Sequence, residues 1–354
     1  EMCIRDRLHI ESGLGNQMLG YCEYLALKQA NPKVDIYIEN IIYDIPEANE
    51  VIAQWNGYEL DRIFGVTEPK NIKTLFTEEQ WDGVLDDVRK SQFWKRNWNY
   101  PVHITNALNR AGLKLRNIRG DFEALGYEAM TEDRVKHDFR YHLTHSFVGY
   151  HLKRLLEKYR SNKAFQVQGQ NLFLQTSEDI FTGQRLSFKL RGFGRERIDS
   201  DIRKTLQFPA FTDTNNQAMA EKLTGVNGVA IHARRGDMLT VNGECYKYGY
   251  FKRAMKIIRQ NVKDPVFVFF TNSGSIQWCM DNYDVFGLDS KVDEILFVDW
   301  NTGTDSFRDM QLMSYCKHAI ITNSSFGWWG AYFIENSDKI TISPWLSMDT
   351  THHC

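Results

Sequence analysis

The chain has 354 residues, of which 42% are hydrophobic and 25% are charged, a composition typical of globular proteins. Its formal net charge of −2 gives no general basic surface, so nucleic acid is excluded as an expected partner. No apolar run approaches the length of a membrane span, no signal peptide is evident, and the six cysteines form no C-x-x-C pair. We therefore expect reduced thiols and a cytosolic setting.

The N-terminal segment predicts a strand, a glycine turn, a helix and a second strand. Residues 7–12 alternate like a half-buried strand, residues 17–30 have helical apolar spacing, and residues 34–38 begin the next strand. The segment Gly13-Leu14-Gly15-Asn16-Gln17 lies between strand and helix, and its glycines would let the backbone approach a ligand closely. It lacks the third glycine of a dinucleotide-binding fingerprint. A ligand-binding turn and a purely structural turn are therefore equally good interpretations of this segment.

Residues from about 40 to 220 predict a mostly helical region, with helices over 146–159 and 199–208. Asp199 and Asp201 match the D-x-D pattern of metal-dependent sugar-nucleotide enzymes. Because Ile-Arg-Lys follows them, the pattern fits the start of a helix better, and no metal site is predicted.

Strands and helices alternate regularly from about residue 226. The predicted strands cover 228–233, 266–271, 295–298, 319–322 and 339–343, and the predicted helices cover 250–262, 276–282, 307–317 and a segment from about Ser325. Continuous apolar strands that alternate with helices are typical of a parallel, doubly wound sheet. We therefore predict an N-terminal α/β domain over 1–215 and a C-terminal Rossmann-like domain over 216–354.

The first strand of the C-terminal domain ends in His232, Arg234, Arg235, Gly236 and Asp237. Ligands of open α/β sheets bind at the carboxyl ends of the strands, and paired guanidinium groups suit an oxyanion such as a diphosphate. Asp237 would act as a base or would hold Arg234 in place. Taken alone, the cluster fits a solvated salt-bridge loop better than a ligand site, since exposed charge runs are usually solvated.

A second polar turn, from Thr322 to Gly330, follows a later strand. Asn323 or a following serine would cap the next helix, and the N–H groups of that helix start would bind phosphate. A capped helix without a ligand is the alternative. Asp309 begins the preceding helix, where its carboxylate would either accept hydrogen bonds from a guanine edge or complement the helix dipole.

These three elements, in this order, resemble the bacterial and animal α-1,2-fucosyltransferases of glycosyltransferase family 11. The family has a Gly-Leu-Gly-Asn-Gln-Met turn, found here at 13–18, and a His-x-Arg-Arg-Gly-Asp strand end, found here at 232–237. It also has an Asn-Ser-Ser-Phe-x-Trp-Trp-Gly-Ala turn, found here at 323–331. The resemblance implies a GT-B-like α/β fold of two facing Rossmann-like domains and a cytoplasmic bacterial protein, with peripheral membrane association left open.

The activity that the resemblance implies is the transfer of L-fucose from GDP-β-L-fucose to the 2-hydroxyl of a terminal galactoside. The transfer would proceed with inversion, without a metal ion or other cofactor, and the partners would be GDP-fucose and a galactose-terminated oligosaccharide. A fucosyltransferase that forms α-1,6 or protein O-linked products is an alternative. A non-catalytic protein that binds a sugar or a nucleotide is another.

The resemblance also implies roles for individual residues. Arg234 would clamp the β-phosphate of GDP with support from Arg235, and His232 would contact the nucleotide or the acceptor. The candidate GDP-fucose contacts are Gly13, Gly15, Asn16, Arg234, Arg235, Asp309, Asn323, Ser324, Ser325 and Phe326, and the candidate catalytic residues are His232, Arg234 and Asp237. The chain departs from the family at Thr271-Asn272-Ser273-Gly274, where an acidic pair is usual, and at Met238, where an aromatic residue is usual.

Overall fold

The computed structural model describes residues 6–50, 53–95, 100–115, 119–120, 139–144 and 194–344, with shorter stretches at 146, 148–149, 152, 180–182 and 189. The chain divides into two compact units. Described residues up to 144 and from 180 to 207 form the first unit, and those at 146–152 and from Phe208 onward form the second. The helix predicted over 146–159 lies almost wholly outside the described residues.

The first unit contains a four-stranded parallel sheet with the strand order β2-β1-β4-β3. Its strands are β1 (Asp6–His9), β2 (Ile36–Glu39), β3 (Arg119–Gly120) and β4 (Ile180–Thr182). Its helices are α1 (Leu14–Ala30), α2 (Leu60–Phe64), α3 (Glu78–Ser91), α4 (Tyr100–Arg110), α5 (Phe139–Thr144) and α6 (Asp199–Thr205). A core around Trp81, Phe93 and Leu108 lies among α3, α4 and the segment that follows β2.

Two details of the first unit differ from the sequence-based prediction. The first strand ends at His9, and α1 begins at Leu14, so Gly15 and Asn16 lie in the first helical turn rather than in a loop. The helix starts early because the Gly13 carbonyl accepts from the amides of Asn16 and Gln17, at 2.9 and 3.2 Å. The middle region also contributes β3 and β4, which are too short for a periodic pattern to reveal.

The D-x-D pair lies where a helix start was predicted. Asp199 begins α6, and Arg203 one turn later donates to its carboxylate at 3.1 Å. This is an ordinary i,i+4 pair on an amphipathic helix.

The second unit contains a five-stranded parallel sheet with the strand order β7-β6-β5-β8-β9. Its strands are β5 (Asn227–His232), β6 (Pro265–Phe270), β7 (Glu294–Val298), β8 (His318–Ile321) and β9 (Thr341–Ile342). Its helices are α7 (Thr214–Thr224), α8 (Leu239–Lys247), α9 (Tyr250–Asn261), α10 (Ile276–Asp281), α11 (Tyr283–Phe286), α12 (Phe307–Tyr315) and α13 (Ser325–Phe333). The predicted α/β class and doubly wound parallel sheet are confirmed.

Both faces of this sheet are covered, as the continuous apolar strands predict. Val229 and Ile231 of β5 pack into one core with Phe267 and Phe269, whereas Ala230 faces the other core. Because β5 is central, its carboxyl end lies between those of β6 and β8, and the strand order reverses there. That point is where open α/β sheets bind ligands.

None of the described helices combines the length and the apolar character that a membrane crossing requires. The described cysteines are buried thiols: Cys22, Cys245, Cys279 and Cys316.

Candidate anion-binding site

The loop after β5 is tied to the end of β8 by the side chain of Thr322. The Thr322 hydroxyl donates to the carbonyl of His232 at 3.1 Å and lies 3.2 Å from the Arg234 amide, which donates to it. The Thr322 amide donates to the same His232 carbonyl at 3.3 Å. Thr322 is buried, so these bonds fix the backbone on which both arginines are mounted.

The end of β6 holds the other side of the same loop. The Thr271 hydroxyl donates to the Ala233 carbonyl at 2.7 Å, and the side-chain oxygen Oδ1 of Asn272 accepts from the Arg235 amide at 3.3 Å. Gly236 has a φ of 59°, and a Cβ there would lie 2.9 Å from the side-chain nitrogen Nδ2 of Asn272. Thr271 and Asn272, which depart from the family pattern, therefore act here as braces of the arginine loop.

A buried asparagine on α8 joins the two polar turns. The Asn242 side chain donates to the Arg234 carbonyl at 3.2 Å and accepts from the Asn323 amide at 3.0 Å. One turn later on α8, the Tyr246 hydroxyl donates to the same Arg234 carbonyl at 3.1 Å. Because Asn242 is fully buried, loss of its side chain would remove an acceptor from the Asn323 amide and a donor from the Arg234 carbonyl.

The two adjacent arginines have different surroundings. The Arg235 guanidinium stacks over the Trp278 ring, at 3.3 Å from the centroid, and lies 4.8 Å from the Tyr246 ring centroid. Partial burial lowers the pKa of Arg235 from its usual value. Arg234 is half-buried and lies on the Thr322 side of the loop. The aromatic stack thus orients Arg235, which holds one positive charge close to the loop.

The turn after β8 presents the N-terminus of α13. The helix begins at Ser325 with Ser324 as its cap residue, so Asn323 lies outside the cap position. The Ser324 amide donates to the Thr322 carbonyl at 2.8 Å, and the Trp328 amide donates to the Ser324 carbonyl at 3.0 Å. A helix start presents the N–H groups of its first turn along the helix axis, where an anion can accept from them. They give the turn its anion-binding capacity.

His232 lies beneath this helix start. Its imidazole is 4% exposed and stacks on Phe326 with 5.7 Å between ring centroids. A Cβ at Gly327 would overlap the imidazole, lying 2.7 Å from its Cγ and nearer still to Nδ1. Nδ1 has no hydrogen-bond partner among the described residues. Burial, with the nearby charge of Arg234, lowers the pKa of His232 to about 3, so the ring is neutral at neutral pH.

Asp309 lies in the first turn of α12, at the same carboxyl edge of the sheet. Its carboxylate accepts from the Asn301 side chain at 2.9 Å, and Asn301 in turn exchanges hydrogen bonds with Asn216 at 2.8 and 3.0 Å. Burial and the neighbouring charge of Asp299 raise the pKa of Asp309 to about 7, against the lowering effect of Asn301. The group therefore titrates near neutral pH.

The predicted residues thus fall into separate groups. The second unit brings together six of them: His232, Arg234, Asn323, Ser324, Ser325 and Phe326, with Arg235 alongside. Asp309 is held by its own amide network at the same sheet edge, and the side chain of Asp237 lies outside the described side chains. Gly13, Gly15 and Asn16 belong to the first unit, and their predicted ligand contacts stay predictions.

Sequence reasoning did not find Asn242 and Tyr246 as partners of the arginine loop. They lie four residues apart on α8, so one helix face carries both of the groups that bond the Arg234 carbonyl. In the sequence, a polar and an aromatic residue four positions apart, directly after a charged loop, could have indicated that this helix supports the loop.

Comparison with known proteins finds relatives for this part of the chain. The family model for glycosyl transferase family 11 matches residues 178–353. An α-1,2-colitosyltransferase from Escherichia coli is 34% identical over 182 residues, covering 48% of this chain and 59% of that protein. A galactoside α-(1,2)-fucosyltransferase 1 from Rattus norvegicus is 35% identical over 127 residues, covering 34% of this chain and 32% of that protein.

Among solved structures, the fucosyltransferase NodZ from Bradyrhizobium has a TM-score of 0.42 and 11% identity, covering 92% of this chain and 91% of that one. The chain spans 59% of the length of the colitosyltransferase and 32% of that of the rat protein. The segment that the family model matches contains both the arginine loop and the turn at the start of α13.

Replacement of Gly327 by alanine is expected to lower the free energy of unfolding by about 1–3 kcal/mol, since the added methyl group overlaps the buried His232 ring. Gly83, inside α3, is the matched control because a Cβ there meets nothing within 4 Å. Gly83→Ala should raise stability by about 0.5–1 kcal/mol. Chemical denaturation measures both, and wild-type stability of Gly327→Ala would contradict the close packing.

Replacement of Asn242 by leucine is expected to lower the free energy of unfolding by about 1–3 kcal/mol, because buried groups of both turns lose a partner. The control is Asn261→Leu, which removes a single exposed bond to the Ile257 carbonyl and should change stability by less than about 0.5 kcal/mol. Equal effects of the two variants in denaturant titrations would show that Asn242 does not join the turns.

Proposed function

We propose that the chain is a member of glycosyltransferase family 11, whose model matches residues 178–353, and that it transfers L-fucose from GDP-β-L-fucose to the 2-hydroxyl of a terminal galactoside. The transfer inverts the configuration at the fucose anomeric carbon and uses no metal ion. The observation that carries the proposal is the meeting of an arginine loop with a helix N-terminus at the switch point between β5 and β8.

The diphosphate is the natural ligand of this arrangement. Fucose departs through an oxocarbenium-like state, and negative charge grows on the β-phosphate as the glycosidic bond breaks. Donors that are fixed before the reaction stabilise such charge most effectively. Arg234 clamps the β-phosphate, while Ser324, Ser325 and Phe326 wrap the diphosphate at the start of α13. Asn323, held by Asn242, sets the position of that turn.

Arg235 and His232 support this clamp. Arg235 is oriented by the Trp278 ring and adds positive potential behind the phosphate. His232 stays neutral and, through its stack on Phe326, sets the place of the first helical turn. Its Nδ1, which has no hydrogen-bond partner among the described residues, is the atom through which His232 contacts the nucleotide or the acceptor in this proposal.

Asp309 reads the guanine base in this proposal. A carboxylate accepts two hydrogen bonds from the N–H groups of a guanine edge, and Asn301 holds one carboxylate oxygen of Asp309 in place. The proton on the acceptor hydroxyl passes to a base, for which Asp237 is the candidate. Gly13, Gly15 and Asn16 supply the contribution of the first unit to GDP-fucose binding.

Colitose is the second candidate for the transferred sugar. The colitosyltransferase of Escherichia coli aligns with this chain over 182 residues, a longer stretch than the 127 residues of the rat fucosyltransferase. The arginine loop and the α13 turn bind the nucleotide in either case, so the two candidates differ only in the sugar.

The proposal is tested by incubating the chain with GDP-fucose and a panel of galactosides while GDP release is followed. We expect release that depends on the acceptor, and an α-1,2 linkage in the NMR spectrum of the product. Release without an acceptor would indicate hydrolysis alone, and an α-1,6 or protein-linked product would replace the proposed regiochemistry. Faster transfer from a nucleotide donor that carries colitose would identify the second candidate.

Replacement of Arg234 by alanine is expected to lower kcat about a hundredfold or more, since it removes a donor to the charge that grows on the leaving phosphate. Arg234→Lys keeps the charge and loses the two-pronged geometry, so it should fall between alanine and wild type. Arg253→Ala, at an exposed arginine of α9 that donates to the Tyr248 carbonyl, is the control. Near-normal turnover of Arg234→Ala would rule out the clamp.

The affinity for guanosine is expected to rise as pH increases to about 7 and then to level off. The pKa of Asp309 is raised to about 7, so the carboxylate that accepts from guanine is protonated at lower pH. Below that pKa the affinity should fall by up to about tenfold per pH unit. Guanosine carries no phosphate to titrate, and Asp309→Asn should bind weakly at every pH. Calorimetry that finds the same pH dependence in wild type and Asp309→Asn would contradict this role.

A further inference from the structure

We propose that the exposed indole of Trp55, in the first unit, is a stacking platform for the pyranose ring of a carbohydrate acceptor. The inference rests on the proposed function, because that function requires a galactoside, and it assigns a binding residue that the sequence motifs do not contain. Trp55 and the residues that hold it in place all belong to the first unit.

Trp55 lies against the glycine turn at the carboxyl edge of the first sheet. The indole is 52% exposed, and a Cβ at Gly13 would lie 3.0 Å from its Cδ1 and 3.3 Å from its Nε1. A side chain at position 13 would therefore displace the ring. Gly13 follows β1 by a few residues, and this edge of a parallel sheet is where ligands bind.

The turn that carries Trp55 is held rigidly. The Gln54 side chain donates to the carbonyls of Ile42 and Ile45, at 2.5 and 2.7 Å. The Gly57 amide donates to the Gln54 carbonyl at 2.9 Å, which closes the turn around Trp55. An exposed ring on a fixed turn loses little entropy when a ligand packs on it.

A single buried glutamine fastens this turn to the glycine turn. The Gln17 side chain donates to the carbonyls of Gly57 and Ser12, at 2.8 and 3.0 Å, and accepts from the Glu59 amide at 2.8 Å. Both turns contain a left-handed residue, with φ values of 51° at Trp55 and 68° at Ser12. Left-handed non-glycine residues cost free energy and cluster at binding sites, where the surrounding structure holds them.

The same edge of the sheet supplies a carboxylate for sugar hydroxyls. Glu11 is 14% exposed and lies 3.4 Å from Nε2 of the buried His9, whose Nδ1 is 2.7 Å from Glu39. Burial alone would lower the pKa of His9, but Glu39 and Glu11 raise it to about 9. His9 is therefore protonated at neutral pH and lies next to the Glu11 carboxylate. An apolar ring face and a carboxylate at the same edge of the sheet suit a pyranoside, which has an apolar C–H face and a rim of hydroxyls.

The test compares three variants at position 55. Trp55→Phe keeps a flat ring, whereas Trp55→Leu and Trp55→Ala remove it, and all three retain a side chain with the same left-handed backbone cost. Tyr315→Leu removes an exposed ring of the second unit and serves as the control. The kinetic readouts are the KM for the galactoside, the KM for GDP-fucose and the rate of donor hydrolysis without acceptor.

We expect Trp55→Leu and Trp55→Ala to raise the KM for the galactoside by about tenfold or more, which is the loss of one stacking contact. Trp55→Phe should recover most of this loss, and the KM for GDP-fucose and the rate of hydrolysis should stay within about twofold of wild type. A galactoside KM unchanged in Trp55→Ala would overturn the platform. So would a rise in the GDP-fucose KM as large as the rise for the galactoside.

A second measurement separates this inference from the proposed function. Ligand-observed NMR detects the binding of methyl β-galactoside to the full chain without any donor. Binding that is lost in Trp55→Leu and kept in Trp55→Phe supports the platform even if GDP-fucose is not a substrate. Wild-type binding that persists in Trp55→Leu would overturn the platform even if the chain transfers fucose.

Discussion

The hydrogen bonds of Thr322 to the backbone on both sides of Ala233 are the contact on which the site depends. They join the ends of β5 and β8 at the point where the strand order of the sheet reverses, so the arginine loop and the start of α13 face the same space. The Asn242 side chain joins the same two segments a second time, through its bonds to the Arg234 carbonyl and the Asn323 amide. A diphosphate site needs donors from two chain segments in fixed register, and these buried bonds supply that register before any ligand arrives.

The charges around this contact are arranged so that only part of the positive potential is exposed. His232 is buried and neutral, and Arg235 stacks on Trp278. Asp309 accepts from the Asn301 amide and carries a pKa near neutrality, so the proposed recognition of guanine would be sensitive to pH. In the first unit, the carboxylates of Glu39 and Glu11 raise the pKa of the buried His9, so this histidine is protonated. Burial sets the protonation state of His232 and Asp309, whereas the neighbouring carboxylates set that of His9.

The alternation of apolar strands and helices was sufficient to predict the parallel sheet of the second unit and the polar turns that end β5 and β8. It was not sufficient for β3 and β4, because strands of two and three residues show no period and pair with residues far away in sequence. The roles of Asn242 and Asn272 were also hidden, since their partners lie on other elements and only the folded sheet brings them together. The local sequence indicates which strands end in polar, ligand-binding residues. The side chains that hold those residues in position are visible only in the folded structure.

We propose that the second unit binds a nucleoside diphosphate through its arginine loop and the start of α13. Calorimetry of the full chain with GDP, GMP and guanosine tests it most directly. GDP should bind at least about a hundredfold more tightly than guanosine, with GMP between them, because the β-phosphate meets Arg234 and the helix amides. The difference should shrink as salt is added. Equal affinities for GDP and guanosine would contradict the account.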